Sequence, residues 1–385
     1  MKASIYELGP SKWRIVYDAP AGPDGKRRQK TLTVNGGKKD AQRKLTEIRR
    51  QLDTDSYVDP TRTTVAEYLT KWLVDHVQVN CGRKTHLEYS RALKNQVMPW
   101  IGGIKLVDLK PAHIVGLYST LRERGRRDGN GGLSEQSILH CHRILHQALK
   151  HAVLWQVIIR NPVEAVPSPR VTKQEMNTLE SEQLDVLLSN LDELCRMPIL
   201  LAVSTGMRLG EICGLKWEDL DIEEGFLSVR RSLEYTGPGQ LNFKAPKTAH
   251  SIRRIDIPTE LIVELVKHKG IQAENKLLLG SDYTSMDLVC CKPTGEPIRP
   301  GHISSKFGQL IRRLGMQHIR FHDLRHTHAT WLLKIGVHPK VVQERLGHGT
   351  ISITLDTYSH ILPTMQKEAA GKIGTILQAA LGNNR

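Results

Sequence analysis

Residues 320–360 read RFHDLRHTHATWLLKIGVHPKVVQERLGHGTISITLDTYSH and hold the densest set of reactive side chains in the chain. His322 and Arg325 are three residues apart, a spacing that places both side chains on one face of a helix. His348 follows in the loop-like segment LGHGT, and Tyr358 comes ten residues later. Guanidinium, imidazole and phenol groups bind phosphate oxygens, move protons and attack phosphorus. The stretch is therefore compatible with a site that acts on a phosphate.

Apolar residues between these polar groups recur at helical spacing. The first run is Ala329, Leu332 and Leu333. The second run is Val341, Val342 and Leu346. This pattern predicts two buried helices that hold the polar groups in place.

The HDLRH…LGH…Y pattern resembles the C-terminal signature of the tyrosine recombinase (phage integrase) family. Two upstream blocks extend the resemblance: TGMRLGEICGLKWEDLD at 205–221 is similar to the first arginine block, and APKTAHSIRRIDIP at 245–258 to the hairpin lysine block. The resemblance implies six catalytic positions, in the expected order over about 150 residues: Arg208, Lys247, His322, Arg325, His348 and Tyr358. It also implies that Glu211 supports the first arginine.

The resemblance implies attack by the Tyr358 oxygen on a DNA phosphodiester, which would leave a 3′-phosphotyrosine and a free 5′-hydroxyl. Arg208 and Arg325 would hold the two non-bridging oxygens and stabilise the charge of the transition state. Lys247 would protonate the departing 5′ oxygen. Because the covalent ester conserves the bond energy, neither a cofactor nor a metal is expected.

The resemblance gives His322 a part in proton movement at the nucleophile, and His348 a hydrogen bond to the phosphate. A metalloprotease is an alternative interpretation, since His322 and His326 are spaced like the histidines of HExxH. That motif needs a glutamate base where this chain has Asp323, and the intervening Arg325 would repel a metal. We therefore prefer the recombinase interpretation.

Composition indicates a basic protein of several domains. The 385 residues include 55 Lys and Arg against 40 Asp and Glu, a net charge of +15, which favours a polyanionic partner such as DNA. No run approaches the roughly 18 apolar residues of a membrane span, and the N-terminus lacks the apolar core of a signal peptide. We expect a protein of the bacterial cytosol or nucleoid, with its six cysteines reduced.

Residues 1–60 predict a small N-terminal domain that binds arm-type DNA sites. SKWRIVYDAP and KRRQKTLTV read as two strands of a hairpin, and a helix is expected from about Lys38 to Leu52. A two-stranded ribbon fits the DNA major groove, although a merely solvated charged hairpin is an alternative. The candidate DNA contacts on this hairpin are Arg14, Lys26, Arg27 and Arg28, with Lys30 beside them.

Residues 61–165 predict a helical core-binding (SAM-like) domain. An apolar stripe from Val65 to Leu73 begins it, Pro99 and the following IGG are expected to end the second helix, and Ser134 is expected to cap a long helix. The candidate phosphate contacts are Lys84, Arg91, Lys94 and Arg143, each equally compatible with an ordinary exposed cation. His142 and His146 have the i, i+4 spacing of a metal pair, but no further ligands complete a set, so packed or solvent-facing histidines are favoured.

An irregular segment at 161–174 contains three prolines and predicts a linker. Residues 175–385 would then form the α+β catalytic domain. We expect Pro198 to open a helix that ends at Gly206, and the last helix to lie near 373–381. Strands are expected at 226–231, near 240–243 and at 251–257, with Lys247 in the turn between the last two. The predicted fold is multi-domain and mainly α with small β elements.

The leading functional hypothesis is an integrase of a phage or an integrative mobile element. One alternative is a DNA-binding architectural or regulatory protein without catalysis, which the intact set of six positions disfavours. Another is a type IB topoisomerase-like relaxing enzyme, which would not need a basic N-terminal hairpin for a second DNA site. The expected partners are double-stranded DNA at core and arm attachment sites and three further protomers in a tetramer. A directionality factor or a host DNA-bending protein is a candidate accessory partner, and no membrane is expected.

Overall fold

The computed structural model describes residues 3–19, 28–53, 62–172, 177–237, 240–245, 252–358, 370–371 and 373–378. The chain divides into two compact units, Met1–Lys173 and Gln174–Arg385. Within the described ranges, no helix is long and apolar enough to span a membrane.

The first unit begins with a three-stranded antiparallel sheet packed on one helix. Its strands, in the order β1-β2-β3, are Ala3–Gly9, Lys12–Ala19 and Arg28–Asn35, and the helix α1 is Lys38–Asp53. Because side chains alternate along a strand, Ile15 and Tyr17 of β2 face α1 and pack with Leu45 and Ile48. The hairpin of β2 and β3 was predicted, and a third strand was left open without a position, which β1 now supplies.

The helices of the first unit follow the sheet. They are α2 (Val65–Trp72), a π-helical turn (Leu73–Val77), α3 (Gln78–Asn80), α4 (Arg83–Ala92), a second π-helical turn (Leu93–Val97), α5 (Met98–Ile101), α6 (Pro111–Arg124) and α7 (Glu135–Leu154). The Ser134 side chain accepts a hydrogen bond from the N–H of Ser137 and caps α7, as predicted. The apolar stripe predicted at 65–73 is buried against α7 in a separate core.

The prediction that Pro99 ends the second helix is wrong, because the helical segment runs through it to Ile101. The N–H of Met98 donates to the carbonyl of Leu93, five residues back, which closes the π-helical turn. Pro99 therefore stands in the first turn of α5, where its missing N–H costs no hydrogen bond. Gly102 follows as the end of the helix.

The predicted linker also begins too early. Asn161 is buried, its side chain accepts from the N–H of Val163, and its amide donates to the carbonyl of His146. Val163 and Val166 pack into the helical core. Residues 161–166 thus belong to the first unit, because the short Pro162–Ala165 turn has two apolar side chains to bury.

The second unit is an α+β assembly. Its helices are α8 (Ser181–Ser189), α9 (Glu193–Thr205), α10 (Leu209–Cys213), α11 (Thr259–Leu279), α12 (Pro300–Arg313), α13 (Asp323–Lys334), α14 (Pro339–Leu346) and α15 (Ile351–Tyr358). Its strands are β4 (Leu220–Asp221), β5 (Phe226–Val229), β6 (Ser232–Gly237), β7 (Gln240–Lys244) and β8 (Arg253–Asp256). They form an antiparallel β4-β5-β8 sheet and a β6-β7 hairpin.

Two expectations for this unit need correction. Pro198 does not open α9 but lies inside it, because the Asp192 side chain caps the helix by accepting from the N–H of Cys195. The strand predicted to run to residue 231 ends at Val229, and the chain turns there into the unpredicted strand β6. The C-terminal region is helical at residues 370–371 and 373–378, within the region where a last helix was expected.

Candidate active site

Arg325 is the centre of the site and lies on the first turn of α13. Its side chain is 2% exposed, and its two terminal nitrogens donate to main-chain carbonyls: Nη1 to Gly206 and Nη2 to Leu346, each at 2.7 Å. Gly206 follows α9, and Leu346 is the last residue of α14. The carbonyl ends of helices carry partial negative charge, so two helix C-termini stabilise one buried guanidinium.

Glycines make this close approach possible. Gly206 and Gly347 both end helices with positive φ, +68° and +67°, which favours glycine. A Cβ at Gly206 would stand 2.7 Å from the His328 ring and equally near Leu346. The two helices therefore converge on Arg325 only with a glycine at this end of α9.

Arg208 directly precedes α10, and its guanidinium is held mainly by the Glu211 carboxylate. Its Nη1 donates to Oε1 of Glu211 at 2.9 Å, and its Nη2 approaches the Gly347 carbonyl at 3.5 Å. The main-chain N–H of Arg208 donates to the other Glu211 oxygen at 2.9 Å. Since 40% of the Arg208 side chain stays exposed, its guanidinium is oriented and still available to an anion.

Sequence reasoning missed Arg253, which holds the same carboxylate from the other side. Its Nη2 donates to Oε2 of Glu211 at 2.8 Å, and its Nε donates to the Arg345 carbonyl at 2.7 Å. A signal was present, because Arg253 and Ile255 of β8, and Ile257 just after it, are buried and alternate with exposed residues. An arginine at a buried strand position needs a buried partner.

Glu211 is ionised at neutral pH in spite of its burial. Burial alone would raise its pKa, but the hydrogen bonds and positive charge of Arg253, joined by the Arg208 N–H and charge, lower it. The resemblance gives Glu211 a role in supporting Arg208, and the structure places the two side chains in contact. Its carboxylate connects two arginines from strand β8 and the start of α10.

Two histidines lie on the α13 side of the site. His322 immediately precedes α13, and its ring meets that of His326 edge-on with centroids 5.1 Å apart. Partial loss of hydration and the positive charge of Arg325 lower the pKa of His322. Burial and the neighbouring His322 lower the pKa of His326 to about 4. Both rings are therefore neutral near pH 7.

His348 lies in the turn between α14 and α15. Its Nδ1 is 2.9 Å from the hydroxyl oxygen of Thr354, and its main-chain N–H donates to the Gln343 carbonyl. Burial, followed by the positive charges of Arg325 and Arg208, lowers the pKa of His348 to about 4. His348 is thus a neutral imidazole beside two arginines.

The structure brings Arg208, His322, Arg325 and His348 together around the C-termini of α9 and α14. Tyr358 is the last residue of α15, the helix that begins just after His348. Lys247 lies outside the described residues.

Side chains in the two motifs considered as metal sites contact other protein groups. The Asp323 carboxylate accepts from the main-chain N–H, Nε and Nη2 of Arg320, all within 3.1 Å. His142 is 2.8 Å from the Tyr118 hydroxyl. Across the described ranges, no three His, Cys, Asp or Glu side chains are grouped as metal ligands.

The candidate DNA contacts lie away from this site in sequence, and those among the described residues are open to solvent. Arg14 is exposed on β2, between Tyr6 of β1 and Thr33 of β3, and Arg28 is exposed at the start of β3. Lys26 and Arg27 lie outside the described residues. The remaining four candidates are exposed on the helices of the first unit: Lys84, Arg91, Lys94 and Arg143.

Comparison with known families assigns two segments of the chain. Residues 172–365 match the phage integrase family, and residues 64–122 match the phage integrase N-terminal SAM-like domain. A tyrosine recombinase XerC-like protein of Caldanaerobacter subterraneus subsp. tengcongensis is 28% identical over 388 residues, covering 96% of this chain and 97% of the relative. The ICEBs1 integrase of Bacillus subtilis is 31% identical over 249 residues, covering 64% of this chain and 67% of the relative.

Solved structures show the same fold. The Tn1549 transposon integrase in complex with transposon right end DNA superposes with a TM-score of 0.65 at 22% identity, covering 80% of this chain and 99% of that one. A lambda integrase tetramer bound to a Holliday junction gives a TM-score of 0.56 at 19% identity, covering 90% and 97%.

Proposed function

The chain belongs to the phage integrase family of tyrosine recombinases, and we propose that it cleaves and rejoins DNA at specific sites to integrate and excise a mobile element. The observation that carries the proposal is that Arg208 and Arg325 contact the carbonyls of Gly347 and Leu346 just before His348, whose ring contacts the helix that ends in Tyr358. Three phosphate-binding groups and a phenol suit phosphoryl transfer without a metal ion.

The two arginines bind the non-bridging oxygens of the scissile phosphate. Arg325 is fixed by two carbonyls before DNA arrives, so little reorganisation is needed as negative charge builds up on phosphorus. Because Arg325 lies in the protein interior, where the dielectric constant is lower than in water, it attracts the developing negative charge more strongly. Arg208 is oriented by the Glu211 carboxylate and completes the clamp from the solvent side.

The two histidines have different roles: His322 accepts a proton, and His348 binds the phosphate. His322 is neutral near pH 7 because its pKa is lowered, so it can accept the phenol proton as the nucleophile attacks. His348 is also neutral and donates a hydrogen bond to the phosphate.

The reaction balances without an external reactant. The Tyr358 oxygen forms a bond to phosphorus, the bond from phosphorus to the 5′ oxygen breaks, and Lys247 gives that oxygen a proton. An unperturbed phenol has a pKa of about 10 and is mostly protonated at neutral pH, which is why a proton acceptor is needed. Attack by the 5′-hydroxyl of a partner strand on the phosphotyrosine then rejoins the DNA and releases the enzyme.

We propose three functional domains, at residues 1–60, 61–165 and 175–385, each supported by a separate apolar core. In the first, the sheet face with Arg14, Tyr6 and Thr33 would bind arm sites in a major groove. In the second, exposed cations would bind the phosphates of the core site. Recombination of two duplexes exchanges four strands, so we propose a tetramer on DNA, as in the lambda integrase complex. A directionality factor or DNA-bending protein would bias the outcome.

The test is a nicked duplex that carries the attachment core, incubated with the protein and resolved on a denaturing gel. Wild type should give a covalent protein–DNA band, and Tyr358→Phe should give none while binding the duplex normally. Tyr235→Phe is the matched control: it removes the same atom and keeps the ring that Arg299 stacks on, 4.6 Å away.

Two outcomes would overturn the proposal. Wild type that binds the duplex without a covalent band would indicate an architectural protein, and a band that survives Tyr358→Phe would indicate another nucleophile. Rapid relaxation of a supercoiled plasmid without an attachment site would favour the topoisomerase-like alternative.

A further inference from the structure

Thr354 contacts the active site from the helix that leads to Tyr358. It lies in α15 with 0% of its surface exposed, and its hydroxyl oxygen is 2.9 Å from Nδ1 of His348. A threonine hydroxyl in a helix often bonds to its own backbone one turn earlier. Here the hydroxyl is instead directed at the imidazole six residues before it.

The main chain of His348 is fixed independently by Gln343. The His348 N–H donates to the Gln343 carbonyl at 3.1 Å, and the Gln343 side-chain amide donates to the His348 carbonyl at 2.7 Å. Lys340 in turn donates to the Gln343 side-chain oxygen at 2.8 Å. The freedom left to His348 is therefore the rotation of its ring and the choice of its tautomer, and Thr354 bears on both.

A neutral imidazole carries one N–H, on Nδ1 or on Nε2, and the other nitrogen is an acceptor. Burial and the charges of Arg325 and Arg208 keep His348 neutral near pH 7. If its N–H were on Nδ1, Nε2 would present a lone pair to the phosphate and repel it. A hydrogen bond from Nε2 to phosphate therefore requires that Nδ1 accepts, so the Thr354 hydroxyl must donate.

We infer that Thr354 is a positioning residue, whose hydroxyl donates to Nδ1 of His348, holds the proton on Nε2 and fastens the imidazole to the helix of the nucleophile. This inference rests on the proposed phosphate contact of His348. Thr354 precedes Tyr358 by four residues, about 6 Å along a helix axis. Displacement of α15 would thus remove the nucleophile and release the His348 tautomer together.

The variants that test this are Thr354→Val, which removes the hydroxyl at equal volume, and Thr354→Ser, which keeps it. Thr330→Val is the matched control, because Thr330 is equally buried in α13 and its hydroxyl has no hydrogen-bond partner among the described residues. Nitrogen NMR shifts of the histidine-labelled full-length protein report the His348 tautomer. Cleavage of the nicked core duplex and the Kd for that duplex report function.

Wild type should show the Nε2–H tautomer, and Thr354→Val should show a mixture of both. Outer partners that fix a metal-ligating histidine are worth about 10- to 100-fold, and by analogy Thr354→Val should slow covalent cleavage by that factor. The Kd should stay within about twofold, because the other phosphate contacts remain. Thr354→Ser and Thr330→Val should behave as wild type in every measurement.

An Nδ1–H tautomer in wild type would overturn the inference, as would a Thr354→Val protein with unchanged tautomer and rate. If Thr354→Val fails to fold, the wild-type tautomer and the Thr354→Ser rate decide the matter. Failure of the proposed function looks different: wild type would then form no covalent intermediate, whatever the His348 tautomer is.

Discussion

Two arginines of the second unit and the candidate DNA contacts of the first unit hold their positive charges in opposite ways. In the second unit, Arg325 and Arg253 are 2% and 9% exposed, and each is bonded to main-chain carbonyls or to the buried Glu211 carboxylate. In the first unit, the candidate DNA contacts project into solvent from helical turns: Lys84, Arg91, Lys94 and Arg143.

This difference separates two uses of charge. A buried guanidinium loses its hydration, so it is retained only where carbonyls or carboxylates replace the water, and its position is then fixed. Fixed charge in a low dielectric acts on the rate of a reaction at one phosphate. Exposed cations act instead on affinity, by releasing counterions from many phosphates. Substitutions in the two units should therefore change different quantities.

Arg325→Lys should produce the largest effect. Lysine keeps the charge but cannot bond to the Gly206 and Leu346 carbonyls and to a phosphate in the same fork geometry. We expect covalent cleavage to slow by about 10²- to 10³-fold, the usual loss on removing one transition-state donor, with a nearly unchanged Kd. Single-turnover cleavage and a binding titration measure both. Arg143→Lys is the exposed control and should change neither; an equal loss there would end the comparison.

Arg253→Met should lower stability. The buried Glu211 carboxylate then loses its ion pair with Arg253 and keeps the one with Arg208. Breaking a buried ion pair lowers the free energy of unfolding by about 3 kcal/mol or more. Urea unfolding of the full chain measures the change. The adjacent Arg254 lies on the opposite face of β8, and its guanidinium stacks on Phe226. Arg254→Met should therefore lower the free energy of unfolding by about 1 kcal/mol at most. Similar losses for the two variants would show that burial does not distinguish them.

The Glu211 ion pairs should weaken in acid. Because the pKa of Glu211 is lowered in the folded protein, its stabilising contribution is full above the unfolded carboxyl pKa of about 4.3 and disappears as pH falls through the lower folded value. The stability difference between wild type and Glu211→Gln should therefore be constant near pH 7 and shrink below about pH 4. Denaturation curves across this range, with the exposed Glu223→Gln as control, measure it. A difference that grows in acid would contradict the ion-pair geometry.

Arg91→Ala should have the smallest effect and the opposite character. Loss of one exposed phosphate contact should weaken DNA binding a few-fold and reduce the salt slope of log K by about 1. The cleavage rate at saturating DNA should not change. A slower rate with normal affinity would mean that the first unit positions the scissile phosphate as well as binding DNA.

Local signals in the sequence predicted much of the fold. Ser134 begins α7 and Gly206 ends α9 because capping depends on one or two residues. The predictions from two prolines were wrong. Pro99 lies in a helical segment that continues after a π-helical turn, and Pro198 lies inside α9 because the helix begins earlier, at its Asp192 cap. The position of strand β1 was not predicted, because its stability depends on pairing with β2.

The residue types of the site were readable, but their contacts were not. Arg325 bonds to a carbonyl 119 residues away in sequence, and the acceptor is a backbone atom that no motif identifies. Arg253 could have been found by its place in the β8 alternation, but its partner Glu211 belongs to a different block. Thr354 looked like any helical threonine until the fold placed it against His348.

The oxygens around Arg325 belong to the main chain, and every amino acid supplies such an oxygen. A codon for Leu346 can change to one for another residue of similar size without removing the carbonyl that Arg325 uses. The exceptions are the codons for Gly206 and Gly347, where a Cβ would come within 2.7 Å of His328 and 3.0 Å of Arg253. Most residues that surround the Arg325 guanidinium can therefore be exchanged without loss of its carbonyl partners, as long as Gly206, Gly347 and Arg325 itself are kept.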